Sequence, residues 1–326
     1  MPVTSVEKDL DALTMTIVAD FAVPLQRLWE AYADPRQISK FWGPETWPAT
    51  FVRHDMATGG RSHYYMTGPN GERSDGFWEF TSVNPPHSFE VVDGFANADG
   101  TQNPEMPTMK MRFQFEETPT GSRMTNIATF NSLEQLEQLI EMGMEEGTRS
   151  AMSQIDAVLA DLASFAAGRG TETQILSDTQ VRITRVIRGT AQQVWDAHNE
   201  PELMKRWLLG PDGWTMPVCK VAQEPGEQYR QEWENTETKE RFGFEGELLE
   251  SAAPYRSVTT EKMIGMEGPS TQNELTLTPL EAGTLLTLVI TYPDVATRDM
   301  VLATGMTDGM ETSYLRLENE VLASAE

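Results

Sequence analysis

The sequence predicts an α+β protein made of two tandem domains, each an antiparallel sheet with one long helix at its C-terminal end. Three observations predict it. First, a helical pattern occurs twice: residues 143–162 read GMEEGTRSAMSQIDAVLADL, and residues 305–323 read GMTDGMETSYLRLENEVLA. Second, landmarks recur in order at a near-constant spacing. Trp29 and Trp195, like Pro35 and Pro201, are 166 positions apart, and Gly43/Gly210, Pro44/Pro211 and Trp47/Trp214 are 167 apart. Two copies of this size make tandem domains, not a solenoid. Third, the intervening stretches alternate with period two and are punctuated by Gly and Pro, as hairpin-linked strands are.

The elements follow in order. Residues 1–14 lack a clear period and read as a lead-in. The β-rich run 15–21 reads as a strand. Pro24 opens a helix with Leu25, Leu28, Trp29 and Tyr32 on one side. Asp34-Pro35-Arg36-Gln37 starts a second short helix, which Gly43-Pro44 stops. After Gly59-Gly60, the residues Ser62, Tyr64 and Met66 alternate, and the turn at 68–71 marks a hairpin. Further strands are read at 76–80, 88–92, 109–115 and 123–130, interrupted by Pro85-Pro86. Ser132 caps the helical region that ends in residues 143–162. The second half repeats this scheme with a strand at 181–187, a capping box at Thr190–Gln193, Pro201 at the next helix, strands around Tyr229, Gln231 and Trp233, and Pro254 as the break. Domains are expected at 1–165 and 178–326, joined by a linker at 166–177.

Within the long helix, Met144, Gly147/Thr148, Met152, Ile155 and Leu159 share one face. Their partners 162 positions on are Met306, Gly309, Tyr314, Leu317 and Val321. Two glycines inside a helix cost about 1 kcal/mol each against Ala. Close approach of a strand, room for a ligand, or a junction between two helical segments are the features that offset such a cost.

Composition excludes several classes of function. The net charge is −25, shared by both halves, so a nucleic-acid partner is not expected, because phosphate neutralisation needs basic surface. Anionic membranes are disfavoured for the same reason, and no run of about 18 apolar residues suggests a membrane span. The single cysteine, Cys219, suits a reducing compartment and reads as a small buried side chain. Without a leader pattern at the N-terminus, a cytoplasmic protein is expected.

Val-Trp or Leu-Trp in the first helix, Asp/Glu-Pro next, a Trp followed by Gly-Pro, a Gly-Gly or Pro-Gly strand start and a Gly-Met…Gly final helix resemble the SRPBCC (START-like, helix-grip) superfamily. Within it, the sequence is most similar to the branch related to the C-terminal domain of the heat-shock chaperone ATPase activator (Aha-type). The resemblance spans about residues 15–162 and 178–324. It implies a helix-grip fold, in which each sheet curves around its long helix and encloses an apolar cavity. In the first domain it implies a lining of Trp42, Tyr64, Met66, Met111, Phe113, Met144, Thr148 and Met152. In the second it implies Trp207, Trp214, Tyr229, Trp233, Phe244, Met306, Met310 and Tyr314. The cavities would differ, because Tyr64 is matched by Gln231 and Met152 by Tyr314. The supply of 18 Met residues suits adaptable apolar pockets.

Motifs for catalysis are absent from the sequence. The four histidines, His54, His63, His87 and His198, form no metal-binding spacing, and no metal or cofactor is expected. His198 reads as a surface or capping side chain, and His63 as facing away from the cavity. There is no nucleophile elbow, Walker loop or dinucleotide fingerprint. Glu145, Glu146 and Asp308 start the long helices, where negative charge is favoured anyway; Glu79, between Trp78 and Phe80, is a further candidate base. Catalytic residues are therefore left unassigned. The first expectation is a small-molecule binding protein that sequesters a hydrophobic or aromatic ligand, as in stress or antibiotic resistance. The alternatives are a polyketide cyclase/dehydratase-like enzyme or hydrolase, which needs two polar groups converging in one pocket, and a chaperone ATPase-activating partner. A monomer and a homodimer are both compatible with the sequence.

Overall fold

In the computed structural model, residues 2–160, 170–209, 213–280 and 283–323 are described. The expected end of the first long helix at 161–162, residues 166–169 of the expected linker and the expected Gly210-Pro211 stop lie outside the described residues. The chain divides into two compact units, Met1–Ala166 and Ala167–Glu326. Among the described residues, each holds one eight-stranded antiparallel sheet with the same strand order.

In the first unit the strands are β1 (Val3–Asp9), β2 (Thr14–Phe21), β3 (Ala49–His54), β4 (Arg61–Thr67), β5 (Arg73–Asn84), β6 (Ser88–Phe95), β7 (Thr108–Thr118) and β8 (Gly121–Thr129). They lie in the order β1-β2-β8-β7-β6-β5-β4-β3. Helices α1 (Leu25–Ala33) and α2 (Pro35–Phe41) connect β2 to β3, and α3 (Leu133–Glu141) and α4 (Met144–Ala160) close the unit. The buried face of β2 shows how alternation builds the core: Met15, Ile17, Ala19 and Phe21 are buried, and the residues between them are half-buried.

The second unit repeats the scheme. Its strands are β9 (Glu172–Ile175), β10 (Gln180–Ile187), β11 (Trp214–Lys220), β12 (Gln228–Asn235), β13 (Arg241–Ala252), β14 (Arg256–Met263), β15 (Thr271–Leu280) and β16 (Gly283–Thr291). Helices α5 (Ala191–Asn199) and α6 (Pro201–Trp207) follow β10; α7 (Val295–Leu302) and α8 (Met306–Arg316) follow β16, and a π-helical stretch Leu317–Leu322 continues α8. The Thr190 hydroxyl and the Gln193 side chain form the expected reciprocal cap of α5. The duplication extends to irregularities. A bulge falls between Phe80 and Ser82 on β5 and between Leu248 and Glu250 on β13, and cis prolines follow both strands.

Two stretches are more ordered than the sequence suggests. Residues 3–9, read as a lead-in, pair with β2 as an edge strand. Residues 172–175, read as linker, pair with β10 in the same position. Their side chains are mostly exposed or half-buried, so neither carries the alternation of a half-buried strand. The sheet edge recruits them through backbone hydrogen bonds, which leave no hydropathy signature.

The repeated Gly-Met start is a helix junction. Gly143 (φ +87°) and Gly305 (φ +76°) are left-handed residues between α3 and α4 and between α7 and α8, a conformation that favours glycine. The second glycines are not required by a close strand: a Cβ on Gly147 would meet only Pro44, at 3.4 Å, and one on Gly309 would have no described atom within 4 Å.

Candidate functional site

The two units place the same strands around different interiors. Register equates Ser62 with Tyr229, Tyr64 with Gln231, Trp78 with Gly246, Phe89 with Ser257, Val91 with Thr259, Met111 with Asn273 and Phe113 with Leu275. In the first unit four of these positions, Tyr64, Trp78, Phe89 and Phe113, carry rings in mutual contact. Phe89 stacks on Phe113 at 4.4 Å between centroids, Trp78 meets Trp42 edge-on at 4.6 Å, and Tyr64 stacks on Phe51 at 5.0 Å. Trp78 is fully buried. Such contacts add about 0.5–1.5 kcal/mol per pair beyond area burial.

In the second unit the same positions carry Tyr, Gln, Gly, Ser, Thr, Asn and Leu, and a cavity of about 270 Å³ opens there, near the lower end of small-molecule pockets. Its walls come from α5 (Trp195, His198), α6 (Met204), β12 (Tyr229, Gln231), β13 (Leu248), β14 (Ser257, Thr259, Glu261), β15 (Asn273, Leu275), β16 (Leu288) and α8 (Tyr314). Gly246 is required by this arrangement. A Cβ there would run into the Thr260 carbonyl and stand 2.8 Å from the Tyr229 ring, which lies across the bare backbone.

Polar groups converge on this space. The Tyr229 hydroxyl lies 2.9 Å from the Thr260 carbonyl and 3.3 Å from Glu261 Oε2. Burial raises the Glu261 carboxyl above its ordinary range, against hydrogen bonds from Asn273 and Tyr229. The His198 ring packs against Trp207 at 4.8 Å. Burial pushes the imidazole down to about 4, opposed by its bond to Val194, so it is neutral at neutral pH. His198 Nδ1 lies 2.7 Å from the Val194 carbonyl, a group that only accepts, so Nδ1 carries the proton. His198 Nε2 is then a bare lone pair, buried without a hydrogen-bond partner among the described residues.

A carboxylate at the matching position of the first unit is enclosed rather than exposed to a cavity. Asp93 accepts from the Trp78 indole N–H at 2.8 Å and the Tyr64 hydroxyl at 3.3 Å. Burial pushes it up to about 6 against those two bonds. His54 is likewise satisfied, by Ser62 at 2.8 Å and the Tyr32 carbonyl at 2.9 Å.

Of the residues expected to line a first-unit cavity, Trp42, Tyr64, Met66, Met111, Phe113, Met144 and Met152 belong to one packed cluster. Thr148 instead bonds the Met144 carbonyl at 2.8 Å. Of those expected in the second, Tyr229 and Tyr314 line the 270 Å³ cavity. Trp207 is buried behind it, with its indole N–H on the Ala197 carbonyl at 2.9 Å. Trp214, Trp233 and Phe244 pack with Phe242 in a separate cluster, and Met306 and Met310 pack near Ile290 and Tyr292. His198, expected at the surface or a cap, faces the cavity, because α5 turns that side toward the sheet. Glu79 is exposed. Glu145 is ion-paired with Lys8 at 2.5 Å, which holds its carboxyl below the usual range, the opposite of a general base. His63 bonds Asp75 at 2.8 Å. Ser257, Thr259, Glu261 and Asn273 were missed as site residues. Their signal is the alternate polar residues on β14 and β15, opposite Phe89, Val91, Asp93 and Met111 of the first half.

Comparison with known proteins places this geometry. The sequence pattern of the Activator of Hsp90 ATPase homolog 1-like proteins matches residues 22–160 and again 188–321. The chain belongs to this family. One matched segment falls in each compact unit, and the tandem helix-grip architecture is that of the SRPBCC proteins. Several solved structures resemble about half of the chain. A crystal structure of a protein from Mycobacterium smegmatis is 50% identical, covering 49% of this chain and 98% of its own, with a TM-score of 0.46. A solution structure from Arthrobacter aurescens is 46% identical over 49% of this chain and 92% of its own, with a TM-score of 0.47. A Rhodobacter sphaeroides protein is 29% identical over 48% of this chain and 99% of its own, with a TM-score of 0.45. No curated protein matches. Among the described residues, no helix is long and apolar enough to cross a membrane.

Proposed function

We propose that the protein binds a small molecule with an apolar, flat or aromatic body in the second domain. The observation that carries this reading is the 270 Å³ cavity at positions where the first domain packs rings. Leu248, Leu275, Leu288, Trp195 and Met204 supply apolar wall, while a few polar groups fix orientation, the usual division of labour in a ligand pocket. The pocket differs from the dry Met-rich cavity that the sequence suggests, and the first domain supports the chain as a packed body. Native mass spectrometry of the freshly purified full chain tests the reading. One small molecule retained per chain, released on denaturation and absent from the Ser257→Phe variant, supports it. An empty chain whose melting temperature no member of an aromatic ligand panel raises overturns it.

One observation favours a second reading, an enzyme of the cyclase, dehydratase or hydrolase type. A neutral imidazole and a carboxyl of raised pKa belong to residues that line the same cavity, the pairing from which general acid–base chemistry is built. Conversion of a bound molecule by the wild type and not by His198→Phe supports it; unchanged ligand recovered from both removes it.

A further inference from the structure

Resting on the reading of the second-domain cavity as a ligand site, the charge distribution of its wall specifies the ligand's chemistry. We propose that the cavity selects an aromatic molecule carrying a protonated amine, whose N–H groups bond the Glu261 carboxylate while its ring lies against the apolar and aromatic wall.

The first domain shows how a carboxylate at this place is satisfied. Asp93, the counterpart of Glu261, is closed off from solvent and accepts from two donors, the Trp78 indole at 2.8 Å and the Tyr64 hydroxyl at 3.3 Å. In the second domain Gly246 stands at the position of Trp78, so the indole donor is gone together with its ring. The remaining phenol is shared. The Tyr229 hydroxyl has one proton, and the Thr260 carbonyl at 2.9 Å is a nearer acceptor for it than Glu261 at 3.3 Å. Asn273 supplies the other bond to the Glu261 carboxyl. A carboxylate can accept about four hydrogen bonds, so Glu261 keeps acceptor capacity that Asp93 does not need.

This capacity faces the cavity. Glu261 alternates with Ser257 and Thr259 on the face of β14 that lines it, and both partners of its carboxyl, Tyr229 and Asn273, are wall residues too. Glu261 is half-buried, in contrast to the enclosed Asp93. No positive charge answers it. Among the described residues that line the cavity there is no Lys or Arg. His198, on α5, is neutral at neutral pH. The phenols beside the carboxyl, Tyr229 on β12 and Tyr292 just past β16, are both shifted upward and stay protonated.

A desolvated carboxylate without a counter-charge is costly, and burial accordingly raises the Glu261 carboxyl. An ammonium group brings the missing charge and the missing donors together, and charge-assisted bonds are the stronger kind. Trp195, Tyr229 and Tyr314 in the same wall offer ring faces, which attract a cation as well as apolar surface. A carboxylate ligand would enter beside an acidic group with no counter-charge, in a chain of net charge −25.

The test uses the full chain and three probes that share one ring system: 2-naphthylmethylamine, 2-naphthylmethanol and 2-naphthoate. Calorimetry at neutral pH should give the amine an affinity at least about tenfold above the alcohol, in line with a hydrogen bond to a charged group, with naphthoate weakest. Glu261→Gln keeps the size of the side chain and should bring amine and alcohol to within about twofold of each other. A second readout needs no variant. Followed by 13C NMR in the wild type, the Glu261 carboxyl should titrate at lower pH with the amine bound than with the alcohol bound, because an opposite charge favours the carboxylate. Equal affinities for amine and alcohol in the wild type, a preference for the amine that survives in Glu261→Gln, or a Glu261 titration unmoved by bound amine would each overturn cation selection while leaving the cavity as a ligand site. Binding of none of the three would remove both.

Discussion

The two interiors of this protein are built on one backbone plan and filled in opposite ways. In the first, Trp78 stands between Trp42, Tyr64, Phe80 and Phe89, and a single aromatic cluster runs from the helices to the sheet. In the second, the residue at that point is Gly246, and Phe89 has become Ser257. The space that rings would occupy is a cavity lined by His198, Tyr229, Glu261 and Asn273. A tyrosine lies over a strand glycine in both, Tyr64 over Gly76 and Tyr229 over Gly246, but two residues further along the sheet in the second. Each still points its hydroxyl at the buried carboxyl on the next strand, Asp93 or Glu261. The difference teaches that a duplicated fold tolerates exchange of ring for space where register and the hydrogen-bonded frame are kept. One copy then carries a cavity at positions where the other packs rings.

The contrast can be broken most strongly from the packed side. Trp78→Ala should cost the first domain about 3–5 kcal/mol through lost contacts and the cavity left behind. It also removes the indole donor from Asp93. Calorimetry of the full chain should show the transition of that domain moving to lower temperature, and hydrogen exchange of the β5 amides should accelerate.

A second difference lies under the long helices. Arg185 on β10 is 1% exposed and pairs with Glu311 and with Glu318, the latter at 3.2 Å; its counterpart on β2 is Ala19. Arg185→Ala installs the first-domain residue but leaves Glu318, 5% exposed, without its buried partner. Breaking such a pair costs about 3 kcal/mol or more. Denaturant unfolding followed by hydrogen exchange in β10 should report this loss in the second domain.

Asp93 sharpens the comparison through pH. Its folded value, about 6, lies above the ordinary 3.8. Its contribution to stability is therefore full below about pH 3.8 and is lost as pH rises through 6. Asp93→Asn keeps an acceptor for Trp78 and Tyr64 and removes this loss. The variant should gain stability relative to wild type between pH 4 and pH 7, by about 1–3 kcal/mol at the upper end. His54, pushed down to about 4 by burial, runs the other way. Its contribution is present above about pH 6.5 and lost as pH falls through 4, so the difference between the two proteins, not either curve alone, isolates Asp93. Thermal melts of both at several pH values check it.

The smallest change in stability should come from filling the cavity. Ser257→Phe restores the first-domain residue at a position with open space, and its melting temperature should stay within a few degrees of wild type, a shift of about 1 kcal/mol or less. The same variant should lose the retained ligand, so binding and stability separate.

The sequence by itself determined the duplication, the α+β class and the helix-grip plan, because Trp, Gly and Pro landmarks recur in order and period-two runs fold locally as hairpins. It also determined several helix starts: Asp34, Ser132 and Thr190 each accept a backbone N–H at the predicted place, since a cap is made within one turn. It pointed to aromatic and Met side chains as pocket walls, and the first domain instead uses them to fill its core. Only the tertiary structure decided where the 270 Å³ cavity lies, because its walls are side chains brought from five strands and three helices, and no single position carries it. Tertiary structure likewise turned His198 from a bland helix residue into an unpaired acceptor. Val194, one turn back on α5, accepts from its Nδ1 at 2.7 Å, and β14 and β15, more than 50 residues away in the chain, supply part of the wall of the cavity that His198 also lines.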